Sequence, residues 1–267
     1  MSQKIDLVII DPQTDFCNPK GKLFVGGAED DIRRLATMVN RIGSKLNDIH
    51  ITLDSHHQVH IAHPIFWKDS KGKHPDPFTI ITAKDVENSV WTTSSPGLYQ
   101  RGLSYVKSLE KHGRYALCIW PPHCIIGTPG HSIEEPLLTA LMDWEVQHFA
   151  VVDKVTKGSN IFTEHYSAVV ADVVQPEDPT TQLNTRFIQT LEEADTIVFG
   201  GEASTHCVLN TMRDIFNNFS DRSAIRKCVL LKDGMSGIPG FEKNFTDFVN
   251  DMTKEGMTVT TTKEFLS

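Results

Sequence analysis

The chain has 267 residues, of which 39% are hydrophobic, and a formal charge of −8 at pH 7. This length is enough for one large domain with a full apolar core, and the mean hydropathy of −0.24 is typical of a soluble globular protein. The negative charge argues against nucleic acid or an anionic membrane as the main partner.

The lack of a recognisable targeting signal and the spacing of the cysteines both favour a cytoplasmic location. The N-terminus leads directly into a predicted strand without a signal-peptide pattern, and no apolar run approaches the ~20 residues that cross a bilayer. The five cysteines are scattered along the chain without a repeated spacing, which favours free thiols over a disulfide framework. We therefore expect a cytoplasmic protein with reduced cysteines.

Short apolar runs alternate with amphipathic stretches along the chain. The predicted strands are Ile5–Ile10, Ile49–Leu53, Tyr115–Trp120, Phe149–Val152, Thr196–Phe199 and Lys227–Leu231. The predicted helices are Asp30–Lys45, Leu98–Lys111, Ile133–Glu145, Thr181–Glu193, Cys207–Asn218 and Gly240–Lys254. This alternation predicts a three-layer α/β fold, in which a parallel sheet has helices on both faces.

One segment, Gln58–Ser95, interrupts the alternation and is too long for an ordinary connection. Two interpretations are open. The segment is either an insertion that packs on the body or on a second subunit, or a lid over the active site. With residues 58–95 as an insertion, residues 1–267 are expected to form a single domain.

Polar residues follow the predicted strands at the point where ligands bind in parallel α/β sheets, beyond the carboxyl ends. In chain order they are Asp11, Asp54, His123, Lys157 and Cys207. Because these strand ends lie at one edge of the sheet, we expect one polar site there.

Cys207 lies between a predicted strand and a predicted helix, where the helix N-terminus favours a thiolate. A cysteine nucleophile needs a base, a cation and donors for an oxyanion. Asp11 can be the base and Lys157 the cation, although an Asp after a strand is also a common turn residue. A Lys before Gly is also common in solvated loops. The N–H groups of Ala203 and Cys207 are the candidate oxyanion donors.

A second cluster has the composition of a metal site. Asp54 and His56 are two positions apart at a strand end, where alternate side chains share a face, and His123 follows another predicted strand. One Asp and two His with open positions suit zinc, iron or manganese. Three further histidines compete for the same ion: His57, His60 and His63. Of these, His60 is the candidate for an additional ligand or a substrate contact.

Aromatic residues lie close to the chemical positions in the sequence. Phe16, Trp120 and Tyr166 either pack in the core or form the walls of a flat pocket of the size of one ring. His206 is adjacent to Cys207, so its side chain is expected to point elsewhere, and we assign it to the pocket lining.

Five short motifs occur in order along nearly the whole chain. They are Asp11-x-Gln-x-Asp-Phe16, Asp54-x-His56, Trp120-Pro-x-His-Cys124, Lys157-Gly with His165-Tyr-Ser167, and Gly201-x-Ala-x-x-His-Cys-Val208. Together they resemble the isochorismatase-like cysteine hydrolase superfamily, and within it the metal-binding nicotinamidase/pyrazinamidase branch.

The resemblance implies a six-stranded parallel sheet in the isochorismatase-like hydrolase fold. It implies a catalytic triad of Asp11, Lys157 and Cys207. It implies one divalent transition metal ion, zinc or alternatively iron or manganese, on Asp54, His56 and His123. It also implies a cis peptide between Glu202 and Ala203, which would aim the oxyanion donors.

For function, the resemblance implies hydrolysis of nicotinamide to nicotinate and ammonia, a reaction of NAD salvage. Asp11 would accept the Cys207 proton as sulfur attacks the carboxamide, and water would hydrolyse the thioester. The pyridine nitrogen would occupy an open metal position, with the ring against Phe16 and Trp120. A homo-oligomer is expected by analogy and because the insertion offers an aromatic surface with residues such as Phe66 and Trp67.

Two features depart from the family pattern. The stretch between the His56 and His123 motifs is longer than in compact nicotinamidases, and Glu202 replaces a common apolar residue. The alternative functions are a cysteine hydrolase of the same superfamily acting on an N-carbamoyl or ureido compound, and a catalytically silent binding subunit.

Overall fold

The structure is a computed structural model that describes residues 3–112 and 114–267. Residues 1 and 2, which precede the predicted first strand, lie outside the described part, and so does residue 113. The described strands are β1 (Ile5–Ile10), β2 (Asp48–Asp54), β3 (Trp67–Lys68), β4 (Ile80–Ile81), β5 (Thr92–Thr93), β6 (Leu117–Cys118), β7 (Asp153–Lys157), β8 (Thr196–Gly201), β9 (Cys228–Leu231) and β10 (Thr258–Thr260). The described α-helices are α1 (Thr14–Cys17), α2 (Ala28–Ile42), α3 (Ala83–Glu87), α4 (Tyr99–His112), α5 (Leu137–His148), α6 (Thr185–Glu192), α7 (Leu209–Asn218) and α8 (Glu242–Lys254).

Six of the described strands form one parallel sheet in the order β10-β9-β8-β1-β2-β7. Its central strand β1 is buried along its whole length, as expected of a parallel strand with both faces covered. Alternate side chains of β1 enter two cores. Leu7 packs with α2 and α5 on one face, and Val8 packs with α4, α6, α7 and α8 on the other. The predicted three-layer α/β fold with a six-stranded parallel sheet is confirmed.

The membership of the sheet differs from the prediction at two places. The run Tyr115–Trp120 is not a strand of the main sheet, because only β6 is extended there and it pairs antiparallel with β4. The sixth strand is β10, whose threonine-rich run lies half-exposed at the sheet edge and therefore lacks a strong apolar signal.

The strand predicted at Phe149–Val152 is also wrong. Phe149 ends α5 in a left-handed conformation and is fully exposed, and the strand begins four residues later as β7. Since β7 is an edge strand with mostly exposed side chains, a search for apolar runs misplaces it. The six predicted helices are all present, with their ends shifted by up to four residues.

The insertion packs on the body of the protein through its first half. Phe66 and Trp67 are 3% and 0% exposed, and the Trp67 indole donates a 2.6 Å hydrogen bond to the Ile61 carbonyl. The expectation that these two aromatics offer a surface to a second subunit is therefore wrong, because they lie in the core.

None of the helices in the described residues is long and apolar enough to cross a membrane.

Candidate active site

The polar residues predicted to converge do so at the carboxyl edge of the sheet. Asp11 directly follows β1, while Asp54 and Lys157 are the last residues of β2 and β7 and lie opposite each other in register. Cys207 lies in the turn after β8, where Ser204–Val208 form a single wide helical turn before α7. The parallel topology therefore brings together four side chains from distant parts of the sequence.

Lys157 lies at the centre of this group, and its side chain is 1% exposed. Its Nζ is 2.9 Å from Oδ2 of Asp11, 3.0 Å from Oδ1 of Asp54 and 3.7 Å from Sγ of Cys207. The ammonium also donates a 2.8 Å hydrogen bond to the His165 carbonyl. Burial disfavours its charge, but the neighbouring carboxylates outweigh burial and raise the pKa of Lys157 well above its usual range. Lys157 is thus a buried cation and not a solvated loop residue.

The Cys207 thiol is held in its protonated form at rest. Burial raises its pKa well above the usual value, the Lys157 ammonium opposes this rise, and the carboxylates of Asp11 and Asp54 add to it. This upward shift in the pKa of Cys207 is opposite to the direction expected from the helix N-terminus, because burial and two carboxylates outweigh the cation. Attack by this sulfur on a substrate would require a base to accept the thiol proton.

Asp11 is positioned to be that base. Its Oδ1 accepts a 2.5 Å hydrogen bond from the Thr52 hydroxyl, and its own N–H donates to the Thr52 carbonyl at 3.1 Å. Burial raises the pKa of Asp11, and the Lys157 ammonium opposes this rise. The Asp11 carboxylate therefore lies in an environment that increases its proton affinity, which suits proton acceptance.

The turn after β8 presents the expected oxyanion donors to the pocket. The Glu202–Ala203 peptide is cis, as the resemblance implied. Gly201 has φ +110°, and a Cβ there would lie 2.1 Å from the Ile10 carbonyl oxygen, so only glycine fits the approach to β1. Within the described residues, the Ala203 N–H donates to no protein acceptor, and both Ala203 and Cys207 line the pocket.

Glu202, whose presence the sequence left unexplained, belongs to a buried polar network behind the turn. Its Oε2 accepts a 3.0 Å hydrogen bond from the Ser236 N–H, and the Ser236 hydroxyl donates to Asp31 at 2.5 Å. The Ser236 carbonyl in turn accepts the Ser204 N–H at 2.8 Å. Burial and then the Asp31 carboxylate raise the pKa of Glu202 well above its usual value, which favours the neutral carboxyl group. The network ties the catalytic turn to α2 and to the loop after β9.

The predicted metal ligands form a compact group beside Lys157. Oδ2 of Asp54 lies 3.0 Å from Nε2 of His56 and 3.3 Å from Nε2 of His123. The Nδ1 atoms of the two imidazoles donate to the carbonyls of Gly158 at 3.1 Å and Pro121 at 2.8 Å. Such bonds leave both Nε2 lone pairs for an ion, and metal-binding histidines usually donate their other ring N–H to a carbonyl or carboxylate in this way. The donor set fits a divalent transition metal with open positions.

The other histidines fit a ligand role less well. His57 is exposed. His60 packs 4.4 Å from His56, ring to ring, but its Nδ1 accepts from the Ala62 N–H at 3.2 Å and its Nε2 donates to the Thr163 carbonyl at 3.1 Å. His60 is not among the residues that line the cavity, and its Nδ1 also lies 3.5 Å from Oε1 of Glu164. His56, His60 and Glu164 form a second group of possible metal donors, so the role of His60 as an additional ligand or a substrate contact stays a prediction.

The aromatic residues form the walls of a cavity above Cys207, which we call the inner pocket. Of its 14 lining residues, the sequence named Phe16, Asp54, Trp120, His123, Lys157, Tyr166, Ala203, His206 and Cys207. The Trp120 indole donates to the Tyr166 hydroxyl at 3.1 Å and fixes two walls. The His206 ring stacks on Tyr115, so it lines the pocket as expected.

The sequence analysis did not assign the remaining five lining residues to the pocket. They are Leu23, Val25, Glu164, His165 and Ile238. Glu164 and His165 directly precede Tyr166, so their place in that motif was an available signal. The three aliphatic residues come from loops with no local pattern, and only the tertiary fold brings them to the pocket.

Comparison with known proteins supports the same family. No family model matches the chain. The nicotinamidase of Saccharomyces cerevisiae is 25% identical over 163 residues, and the match spans 61% of this chain and 60% of the relative.

Solved structures resemble the whole fold. The yeast nicotinamidase bound to the inhibitor nicotinaldehyde has a TM-score of 0.64 and 19% identity, covering 96% of this chain and 99% of that one. An Acinetobacter baumanii nicotinamidase/pyrazinamidase gives 0.62 and 19%, covering 98% of each chain. The pyrazinamidase of Pyrococcus horikoshii in complex with zinc gives 0.55 and 18%, covering 97% and 99%. The chain thus has the fold of nicotinamidases and pyrazinamidases, and the resemblance indicated by the five motifs is confirmed.

Proposed function

We propose that this chain is a metal-containing cysteine amidohydrolase that converts nicotinamide and water to nicotinate and ammonia. The observation that carries the proposal is the contact of one buried ammonium, Lys157, with Asp11, Asp54 and Cys207. This contact joins a nucleophile, a base and a metal-type cluster in one pocket, as an amidase reaction requires. The similarity to nicotinamidases in both sequence and fold supports the choice of substrate.

The catalytic residues are Asp11, Lys157 and Cys207. Asp11 accepts the thiol proton as sulfur attacks the carboxamide carbon, and the developing oxyanion faces the N–H groups of Ala203 and Cys207. Asp11 then returns the proton to the leaving nitrogen, and ammonia departs as the thioester forms. Water attacks the thioester while Asp11 accepts its proton, and transfer of that proton to sulfur restores the thiol. The Lys157 ammonium offsets the negative charge that Asp11 and Cys207 share while the proton moves between them.

The metal site would hold zinc, with iron or manganese as alternatives, on Asp54, His56 and His123. When bound there, the ion would supply a Lewis acid for the ring nitrogen of the substrate. Zinc is favoured because the Pyrococcus horikoshii pyrazinamidase was solved in complex with it. The substrate ring lies between Phe16, Trp120 and Tyr166, which line the pocket.

The proposal treats residues 1–267 as one domain, with residues 58–95 as an insertion, in a cytoplasmic enzyme of NAD salvage. The partners are a small-molecule amide and, within a homo-oligomer, further copies of the chain. An exposed apolar patch on and after α5 supports self-association: Met142, Val146, Phe149 and Val151 are 55%, 82%, 101% and 77% exposed. Light scattering tests this, and a monomeric mass would contradict it.

A panel of amides scored for ammonia release tests the function. Nicotinamide is expected to be hydrolysed, and the activity is expected to disappear with a chelator and return with zinc. The alternative, an enzyme for N-carbamoyl or ureido compounds, is not favoured by the relatives. Hydrolysis of those compounds without hydrolysis of nicotinamide would establish it.

A further inference from the structure

A second and larger cavity opens directly outside the inner pocket. It has a volume of about 670 Å³, against about 40 Å³ for the inner pocket, and we call it the outer cavity. Six residues belong to the walls of both: Leu23, Val25, Trp120, Tyr166, His206 and Ile238. The two cavities therefore adjoin along these six residues, next to Cys207 in the inner pocket.

The far wall of the outer cavity is aromatic and held in place. The Tyr115 ring stacks on His206 with centroids 4.8 Å apart, and Phe241 meets the same imidazole edge-on at 4.8 Å. The Tyr115 hydroxyl donates to the Thr205 carbonyl at 2.9 Å, which fixes the ring against the catalytic turn. This wall therefore offers a preformed flat surface for an apolar group.

The insertion supplies the opposite wall. Phe78 lies edge-on to Trp120 with centroids 6.0 Å apart, and Ile80 lines the same cavity. Phe78, Ile80 and Phe241 are 62%, 49% and 40% exposed although they face a concavity. Large apolar side chains left open around a cavity indicate a ligand site, because solvent contact with them is unfavourable.

The charges around the outer cavity select the kind of ligand. Among the described residues that line it, Arg114 is the only Lys or Arg, and its guanidinium is already paired with Asp214. A phosphate or carboxylate would therefore find no free counterion there, and its desolvation would be uncompensated. An uncharged group suits these walls better than a nucleotide would.

We propose that the outer cavity is a second substrate subsite, which binds an uncharged aromatic or aliphatic substituent of the amide that reacts at Cys207. The inference rests on the proposed function and deepens it, since it extends the substrate class from nicotinamide to larger ring carboxamides with an apolar substituent. Phe78, Tyr115 and Phe241 are the specificity-determining residues of the subsite.

Calorimetry with the zinc-loaded Cys207→Ala variant tests binding without turnover. Nicotinamide is compared with its phenyl-substituted derivatives, with each ring position tried in turn. At least one isomer is expected to bind about tenfold more tightly than nicotinamide, and a carboxyphenyl group at the same position is expected to lose that gain. If no isomer binds more tightly, or if the carboxyphenyl compound binds best, the proposal is overturned.

Substitutions in the cavity wall provide the second readout. Phe78→Ala is expected to reduce the ratio of kcat/KM for the best isomer to that for nicotinamide by about fivefold. Val90→Ala is the matched control, because Val90 is an apolar residue of the same insertion, is 49% exposed and lines neither cavity, and it should leave the ratio unchanged. An unchanged ratio in Phe78→Ala would overturn the role of this wall. Ammonia release from none of the amides, nicotinamide included, would instead contradict the proposed function, while the calorimetry still decides the subsite.

Discussion

Asp54 and Lys157 lie opposite each other at the ends of two neighbouring parallel strands, and their side chains join the catalytic group to the metal-type cluster. One carboxylate oxygen of Asp54 is 3.0 Å from the Lys157 ammonium, and the other faces the imidazoles of His56 and His123. A substitution in one of these two clusters is therefore expected to alter the properties of the other.

Lys157→Met tests this coupling. The substitution leaves two buried carboxylates without their cation, so we expect the free energy of unfolding to fall by about 3–5 kcal/mol and ammonia release to be lost. Urea unfolding of the zinc-loaded protein measures the first effect. Lys154→Met is the matched control from the same strand, since that ammonium is 45% exposed and makes a 3.6 Å surface pair with Glu145. Its cost should be below about 1 kcal/mol. Equal stability of the two variants would show that Lys157 is not a buried counterion.

Removal of a metal ligand should lower metal content as well as activity. His56→Ala and His123→Ala are each expected to contain far less than the wild-type content of about one zinc per chain, because a three-residue site does not tolerate the loss of a ligand. Elemental analysis after gel filtration gives the content. His57→Ala, an exposed neighbour, should keep the wild-type value. Full metal content in His123→Ala would remove that residue from the site.

His50 predicts a pH dependence of stability. This imidazole is buried on β2, with Nδ1 2.9 Å from Asp153 and Nε2 3.7 Å from Asp6. Burial alone would lower its pKa, but the two carboxylates raise the pKa of His50 from 6.5 to about 9. The resulting stabilisation is complete below the unfolded pKa near 6.5 and is lost as the pH rises to about 9.

The size of this loss should be on the order of 2 kcal/mol, because the half-exposed Asp153 is screened by solvent. His50→Gln should lack this part of the fall in the free energy of unfolding, which urea titrations at several pH values measure. Parallel pH curves for the two proteins would contradict the ion pairing of His50.

Glu202 predicts a difference between two substitutions. Because burial and the Asp31 carboxylate raise the pKa of this carboxyl group, a neutral side chain of the same size is expected to replace it well. Glu202→Gln should therefore preserve the network with Ser236 and Asp31 and keep ammonia release within a few-fold of wild type. Glu202→Ala leaves the Ser236 N–H without its partner and is expected to cost about 1–3 kcal/mol of stability.

The raised pKa of Glu202 adds a pH signature to this comparison. The unfolded chain releases the proton above its ordinary pKa near 4.5, whereas the folded chain keeps it, so wild-type stability falls with rising pH until the folded group also ionises. Glu202→Gln should therefore gain stability relative to wild type as the pH rises above about 5. If the stability of Glu202→Gln instead falls relative to wild type as the pH rises, Glu202 is ionised in the folded state.

The sequence predicted those parts of the molecule that have a local signal. The buried strand β1 and the amphipathic helix α2 were located because their apolar patterns reflect their burial. The edge strand β7 was misplaced and β10 was missed, since half-exposed strands carry little apolar signal. Asp11, Lys157 and Cys207 were found because parallel strands end at one edge of the sheet, a rule that needs no coordinates.

Other properties of the site depend on tertiary contacts. The protonated state of Cys207 results from burial and two carboxylates that arrive from separate strands, so the local helix N-terminus gave the wrong expectation. Likewise, the role of Glu202 depends on Ser236, 34 residues away along the chain. The outer cavity is formed by the insertion and by the loop before α8, neither of which has a sequence pattern for a pocket.

The most direct test of the central claim is ammonia release from nicotinamide by Cys207→Ala, measured beside Cys228→Ala with metal content and folding matched. Cys228 is buried in β9 away from the pocket, so its variant controls for loss of a buried thiol. The account predicts that Cys207→Ala loses at least about 10³-fold in kcat/KM while Cys228→Ala stays within a few-fold of wild type. Unchanged ammonia release in Cys207→Ala would contradict the assignment of this sulfur as the nucleophile.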